Sequence, residues 1–391
     1  MKAIRYYAPN DIRYEETKIP ELKEGEILVK VEAALTCGTD VKTFRRGHPV
    51  LIKKTPSGFG HEFSGVVEKV DESVVNVKIG DRVVCANSAP CGECFYCKRE
   101  EYELCENLDL LNGAYAHYIV VPQRFVEKNT LIIPNNLTFA QAAFAEPLSN
   151  VVHGIAKTPI KKGDVVGVMG IGPIGLMFAL LAKLKGAKVI AMGRNPLKLK
   201  LAKDFAHADV VIDITKFDDP TDIILSHTTE GRGLDVAIEC VGLPAMWEKM
   251  FNLVRKGGYV HFFGGCASGS SVNLDTRRLH YDEVKIISSF HHTPEYFRKA
   301  LDLYNSLDVG GTLAFNRINP DGLYYNVGLI RGVLAAKFGA QPTVHCVPNA
   351  AKTETLLYEI YVCIDTSFNI VNCGGSGHAG CGNLGAGAKY I

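Results

Sequence analysis

Net charge is almost absent: 43 Lys and Arg stand against 42 Asp and Glu, a formal charge of +1 over 391 residues. That balance gives no electrostatic footprint for nucleic acid or an anionic membrane, so neither is expected as a partner. Long apolar runs are also missing, and none approaches the roughly 18–20 residues that a membrane span needs. The opening residues, Met1 to Tyr7, contain no apolar signal core and read as a first strand. A secreted or membrane-bound enzyme is therefore disfavoured, and a cytoplasmic one expected. Hydrophobic residues make up 47% of the chain and charged residues 22%, which allows a sizeable core and excludes wholesale disorder. The length suits two domains plus an appendage better than one compact core.

Cysteine is present in quantity, with twelve in all. Four of them, Cys91, Cys94, Cys97 and Cys105, fall within one short segment. Spacing this close lets a single loop wrap one ion and present four thiolates tetrahedrally, an arrangement that suits zinc. Disulfides fit poorly, because adjacent pairs with only two residues between them would be strained and the chain reads as intracellular. A closed four-thiolate site has no open position for chemistry, so this one is expected to be structural. A second, looser set consists of Cys37 in Thr-Cys-Gly-Thr-Asp, His61 and Glu62 in Gly-His-Glu-Phe, and Glu146 in Glu-Pro-Leu-Ser-Asn. Singly, each is explained as a buried thiol, a core histidine or a solvated carboxylate. Together, thiolate, imidazole and carboxylate are the ligand types of a catalytic zinc that keeps one position for water or substrate.

Apolar residues at strand spacing occur over residues 28–33 and 65–70, and residues 80–84 close a further turn and strand. This front section predicts a β-rich domain reaching to about residue 155. The pattern changes near Lys161. Residues 165–169 read as a short buried strand, followed by Gly170-Ile171-Gly172-Pro173-Ile174-Gly175, a helical run over 176–185 and a second strand over 188–192. A glycine loop between strand and helix is the context in which the first glycine makes the turn and the second lets backbone approach a pyrophosphate. The third allows close helix–strand packing, with the phosphates at the helix N-terminus. Further strands are expected over 210–213, 235–239, 259–263 and 284–290, as the β–α units of a parallel sheet.

The end of the second strand lacks the carboxylate that commonly binds the ribose hydroxyl of NAD, and has Arg194 instead. A guanidinium suits a 2′-phosphate through bidentate bonds, so NADP is favoured over NAD. The alternative is a solvated arginine with NAD bound through other contacts. The helix that starts at Pro196 also ends without a glycine, over 203–209, which predicts a strained turn; His207 reads as a surface residue.

Over roughly residues 1–305 the chain resembles the medium-chain zinc-dependent alcohol and polyol dehydrogenases. The motifs that carry the likeness are Cys-Gly-Thr-Asp at 37–40, Gly-His-Glu at 60–62, the four-cysteine lobe, Glu-Pro-Leu at 146–148, the glycine loop and Glu-Cys-Val-Gly at 239–242. Glu-Pro-Leu-Ser-Asn resembles the sorbitol and threonine dehydrogenase branch. The resemblance implies an α/β protein with a GroES-like β-rich zinc catalytic domain (1–155) and a Rossmann dinucleotide-binding domain with a doubly wound parallel sheet (156–304). The catalytic cleft would lie between them. It further implies a catalytic zinc on Cys37, His61 and Glu146, with Glu62 either orienting that shell or exchanging as a ligand. A structural zinc on the four cysteines, a proton relay through Thr39, and a homodimer or homotetramer are implied as well. Substrates would be small alcohols, polyols or sugars. Lys42 stands where many members have a relay histidine, and His48 is a speculative substitute.

From about residue 305 an atypical tail replaces the expected return to the catalytic domain. Residues 317–381 resemble the C-terminal part of S-like plant ribonucleases, with Cys346, Cys363, Cys373 and Cys381 among the matching features. The two catalytic histidine motifs of that family are absent; the tail holds only His345 and His378. Acid–base cleavage of RNA needs positioned proton donors and acceptors, so nuclease activity is not expected. A catalytically inert dinucleotide-binding scaffold, its site broken by the missing return, is the main competitor to a zinc dehydrogenase.

Overall fold

The computed structural model describes residues 1–308; the tail, with its ribonuclease-like segment and four cysteines, lies outside the described residues. The first half is β-rich. Strands β1 (Lys2–Ala8), β2 (Asp11–Glu16) and β4 (Ser57–Gly58) form a small sheet in the order β2-β1-β4. Strands β3 (Ile27–Leu35), β5 (Glu62–Val70), β6 (Arg82–Cys85), β9 (Tyr118–Val121) and β10 (Thr130–Ile132) make an antiparallel sheet in the order β10-β6-β5-β3-β9. β7 (Ser88–Ala89) and β8 (Asp109–Leu110) pair as a short ribbon beside the cysteine lobe. Helix α1 (Gly38–Arg46) follows β3, and α2 (Gln123–Asn129) follows β9. α3 (Phe139–Ala143) runs into α4 (Ala145–Lys157). Residues of β3 and β5 that face one side, among them Val29, Val31, Phe63 and Val67, are buried with Tyr6, Phe59 and Tyr115 in one core, as half-buried antiparallel strands require.

The second half is doubly wound. Parallel strands β11 (Val165–Met169), β12 (Lys188–Gly193), β13 (Val210–Asp213), β14 (Leu234–Glu239), β15 (Val254–Phe262) and β16 (Lys285–Ser288) are ordered β13-β12-β11-β14-β15-β16. The order reverses beside β11, which opens a crevice at the carboxyl ends of β11 and β14. Helices α5 (Pro173–Leu184), α6 (Pro196–Asp204), α7 (Thr221–Ser226), α8 (Pro244–Leu253), α9 (Thr276–Tyr281) and α10 (Pro294–Asp308) connect or follow these strands. β11 is buried along its whole length, which explains its unbroken apolar run. β15 begins five residues before the expected start, because Val254 pairs with Leu234 across an irregularity in register.

Helix α4 joins the halves. It packs against α5 and α10, and its Leu148, Val151 and Ile155 share one core with Phe178 of α5 and Phe297 and Leu301 of α10. At its end, the Thr158 hydroxyl meets Nδ1 of the buried His261 of β15 at 2.8 Å, while His261 Nε2 lies 2.9 Å from Ser289 Oγ. Burial, reinforced by the charges of His153 and Lys157, lowers the His261 pKa to about 4. The turn after α6 adopts the conformation that its lack of glycine predicts. His207 is exposed and sits at φ +52, in the left-handed region.

Two consequences are measurable. Replacing His207→Gly removes left-handed strain at an exposed site, so thermal denaturation should show a gain of about 0.5–1 kcal/mol after the glycine's own entropy cost. His261 takes up its proton only below its unfolded value, so the folded state binds fewer protons between about pH 6.5 and pH 4. Stability should therefore be lost as the pH is lowered through that window, by up to about 3 kcal/mol from this residue. The fall in melting temperature should be shallower in His261→Gln.

Candidate active site and zinc lobe

The turn from β3 into α1 builds the first cluster. Cys37 is the N-cap of α1: its Sγ accepts from the Thr39 N–H at 3.3 Å, and the Asp40 carboxylate accepts from the Cys37 N–H at 2.9 Å. β5 lies against β3 with Glu62 opposite Leu35, so the residues just before and at the start of β5 arrive beside this turn. His61 Nε2 lies 3.3 Å from Cys37 Sγ, and His61 Nδ1 lies 3.2 Å from Asp40 Oδ1. Asp40 thereby fixes the imidazole with Nε2 toward the sulfur, the orientation a metal ligand requires.

Glu146 enters from the first turn of α4. Its carboxyl hydrogen-bonds with that of Glu62, and its Oε1 accepts from Asn150 Nδ2 at 3.3 Å. It also lies 3.7 Å from Nε2 of His292. Potential ligand atoms within 4.8 Å of one another fall into two adjoining sets, Cys37 with Asp40 and His61, and Glu146 with His291 and His292. Thr39 lies in the first turn of α1, with exposed Lys42 one turn on; His48 follows the helix and accepts from the Leu51 N–H at 3.2 Å.

The electrostatics favour a cation here. Burial, then the charges of Asp40 and Glu146, push the Cys37 thiol up. Burial raises Glu62 well above the usual carboxylate range, with Cys37 and Glu146 adding to it, and burial raises Glu146 too. Burial opposes charge on His61, yet Asp40 beside it carries the imidazole up to about 10. Acidic groups thus outnumber basic ones in a buried space, and a positive charge between Cys37 and His61 is stabilised. Sulfur, nitrogen and oxygen donors match zinc.

In the cysteine lobe, Cys91 Sγ and Cys97 Sγ are 3.8 Å apart, and Cys94 Sγ and Cys105 Sγ 3.9 Å. All four cysteines are free, and these separations are far beyond a disulfide bond of about 2.05 Å. They match the edge of about 3.8 Å of a tetrahedron whose arms are the zinc–sulfur length of about 2.3 Å. Backbone N–H groups already point at sulfur, from Cys94 to Cys91 and from Cys91 to Cys105. A hydrogen bond from the Cys97 backbone is the chief reason that Cys94 is held down, to about 6. The lobe is tied to α4 by Glu103, whose Oε1 accepts from Lys157 Nζ at 2.8 Å and lies 3.5 Å from His153 Nε2.

The glycine loop stands where expected, between β11 and α5. Gly170 is at φ +91, and a side chain on Gly175 would meet the Gly170 carbonyl oxygen at 2.1 Å, so only glycine permits this helix–strand approach. Pro173 is at the start of α5, and Ile174 packs on the core. A cleft of ≈ 740 Å³ runs past Gly170 and Gly172 to Arg194, Asn195, Lys198 and Thr215, with no acidic residue among its lining. Burial, then the charge of Arg194, lowers the Lys198 pKa. Two cations facing one cleft suit a bound anion.

Comparison with known proteins agrees with this geometry. The alcohol dehydrogenase GroES-like domain family matches residues 23–134, and the zinc-binding dehydrogenase family matches residues 173–306. Sorbitol dehydrogenase of Bacillus subtilis is 33% identical over 303 residues, covering 76% of this chain and 84% of its own. The chain belongs to the zinc-binding alcohol dehydrogenases. An L-threonine 3-dehydrogenase of Bacillus velezensis is 36% identical over 252 residues, covering 63% of this chain and 71% of its own. Among solved structures, a zinc-binding dehydrogenase of Sinorhizobium meliloti bound to NADP aligns with a TM-score of 0.72 and 32% identity, over 78% of this chain and 88% of that one. Membership of this family favours the enzyme over the inert scaffold. The ribonuclease T2 family also matches, over residues 262–373. The stretch 262–306, which the two matches share, contains β16 and most of α10, elements of the dehydrogenase's nucleotide half.

Asp40, Lys198, His291 and His292 take part in these sites without having been singled out as site residues in the sequence. Asp40 carried one usable signal, its place three residues after Cys37 in a helix-capping pattern. Replacing Cys97→Ser should remove one zinc equivalent by elemental analysis and lower the melting temperature, because the lobe's fold and its Glu103 link to α4 depend on four sulfurs.

Proposed function

We propose that this dehydrogenase oxidises a polyol, sugar or other secondary alcohol with NADP⁺ in preference to NAD⁺. It would use one catalytic and one structural zinc per chain. What supports the reading is the placement of Cys37 against His61 and of Glu146 against Glu62, together with a cleft past the glycine loop that is lined by Arg194 and Lys198. Cys37, His61 and Glu146 would hold the catalytic zinc, with Glu62 hydrogen-bonded to Glu146 and able to replace it; Cys91, Cys94, Cys97 and Cys105 would hold the structural one. When bound, the zinc supplies Lewis acidity toward the alcohol oxygen, and the nicotinamide ring supplies the hydride acceptor.

The chain's own residues do the rest. Asp40 keeps the proton on His61 Nδ1, leaving Nε2 for the metal. Thr39, at the mouth of α1, passes the alcohol proton outward. Gly170, Gly172 and the start of α5, with Pro173, Ile174 and Gly175, set the pyrophosphate position, and Arg194 with Lys198 takes the 2′-phosphate. The reading divides the chain into a zinc catalytic domain over 1–155, a dinucleotide domain over 156–304 and a tail from 305. Zinc-bound thiolates suit a reducing cytoplasm, and among the described residues no helix is long and apolar enough to cross a membrane. Among the described residues the sheet ends on β16, where Ile286 is 42% exposed and Phe290, just beyond, 65% exposed. This open edge supports a homodimer or homotetramer.

The test follows reduced-nicotinamide absorbance across polyols, sugars and secondary alcohols with either cofactor, before and after zinc chelation. Chelator-sensitive reduction, faster with NADP⁺, is expected. Removing both cations in Arg194→Ala/Lys198→Ala should cost roughly 10–100-fold in kcat/KM with NADP⁺, the scale of one or two charge-assisted hydrogen bonds, and little with NAD⁺. No turnover by folded, zinc-loaded protein would sink the reading.

A further inference from the structure

Tyr115 belongs to none of the motifs that mark the site, yet it touches the site from below. It is 2% exposed, and its hydroxyl lies 2.8 Å from the Leu35 carbonyl, 2.8 Å from Thr36 Oγ1 and 3.1 Å from Asp40 Oδ2. Its ring packs edge-on against Phe59, with centroids 5.6 Å apart. Gly60, next to His61, sits at φ +87 with its missing side chain replaced by this ring: a Cβ there would lie 2.5 Å from Tyr115 Cδ1. The backbone agrees, since the Tyr115 N–H donates to the Phe59 carbonyl at 2.9 Å.

We propose that Tyr115 is a positioning residue for the catalytic zinc site, whose hydroxyl holds Asp40 and, through Asp40, the His61 imidazole. A phenol has one proton to give and lone pairs to receive. The Tyr115 hydroxyl reaches three acceptors, Thr36 Oγ1, the Leu35 carbonyl and Asp40 Oδ2. Asp40 Oδ2 also takes the Cys37 N–H, so one oxygen ties the helix start and Tyr115 together while Oδ1 stays with Nδ1 of His61. Without the hydroxyl, a buried carboxylate oxygen keeps one donor where it had two, and the His61 ring loses part of its anchorage. The inference rests on the reading that Cys37 and His61 hold a zinc.

Tyr115→Phe keeps the ring against Gly60 and Phe59 and removes only the hydroxyl. Thr36→Val, which spares the Tyr115–Asp40 bond, is the companion variant. Zinc release is followed by competition with a graded chelator, cobalt substitution reports the ligand geometry through its thiolate and d–d absorption, and thermal denaturation of the zinc-free proteins compares their stability. In Tyr115→Phe one zinc should stay as tightly bound as in the parent, in the cysteine lobe. The other should bind about 10–100-fold more weakly, with altered cobalt bands; Thr36→Val should bind both nearly as the parent does. Parental zinc affinity and cobalt bands in Tyr115→Phe overturn the inference, and so does equal loosening in both variants, which general loss of packing would explain. A parent protein that holds zinc only in the cysteine lobe overturns the catalytic-zinc reading itself, and this inference with it.

Discussion

The Asp40 carboxylate is the joint on which the catalytic half turns. One oxygen accepts the Cys37 N–H and the Tyr115 hydroxyl, and the other faces His61 Nδ1. A free N-terminal N–H group and a buried imidazole each need a polar partner, and a single side chain supplies both. Because Cys37 ends the β3–α1 turn and His61 precedes β5, the same contact fixes where two neighbouring strands of the sheet deliver their functional atoms. Removing that carboxylate would leave a helix start, a histidine and a tyrosine hydroxyl short of a partner at once, so its cost would exceed that of any one of these bonds.

Helix α4 carries the arrangement into the second half. Its first turn brings Glu146 to the cluster, and its middle bears His153, whose Nδ1 donates to the His291 carbonyl at 2.7 Å. Its last turns reach the cysteine lobe through Lys157 and the nucleotide sheet through Thr158. The loop after β16 answers from the other side: His291 Nε2 lies 2.6 Å from Ser88 Oγ, and His292 Nε2 lies 3.0 Å from Asn87 Oδ1. His291 makes these contacts at φ +57, a conformation that a bulky residue holds only where its surroundings fix it. Polar bonds made from both directions register the two halves, which apolar packing alone would leave free to slide.

What the sequence made legible is what lies close along the chain. The four cysteines fall within fifteen residues and the glycine loop within six, so spacing alone carries their geometry, and the parallel strands announce themselves as short buried runs. The cluster of Cys37, His61 and Glu146 became readable through its likeness to a family, because no local rule joins residues that far apart. Tyr115 and Asp40 are 75 positions apart, and His292 and Glu146 farther still; hydrogen bonds across such distances leave no periodic trace. Lys198 was hidden for a different reason. On α6 it looks like one of several solvated lysines, and only the fold shows it facing the same cleft as Arg194.

The composition of the buried cluster suits a bound cation better than a simple acid–base pair. Asp40, Glu62 and Glu146 are all 5% exposed or less; the Cys37 thiol and His61 gather with Asp40, and His291 and His292 with Glu146. Buried carboxylates repel one another, and each resists ionisation unless a positive charge is near. A protonated His61 would offset part of that repulsion, but it would then have no lone pair to offer a metal. A divalent cation would relieve the repulsion and leave the imidazole neutral, with Asp40 holding its other nitrogen. The excess of buried acids would thus favour a bound cation, while the contacts of Asp40 with Tyr115 and His61 hold the surrounding groups in one arrangement.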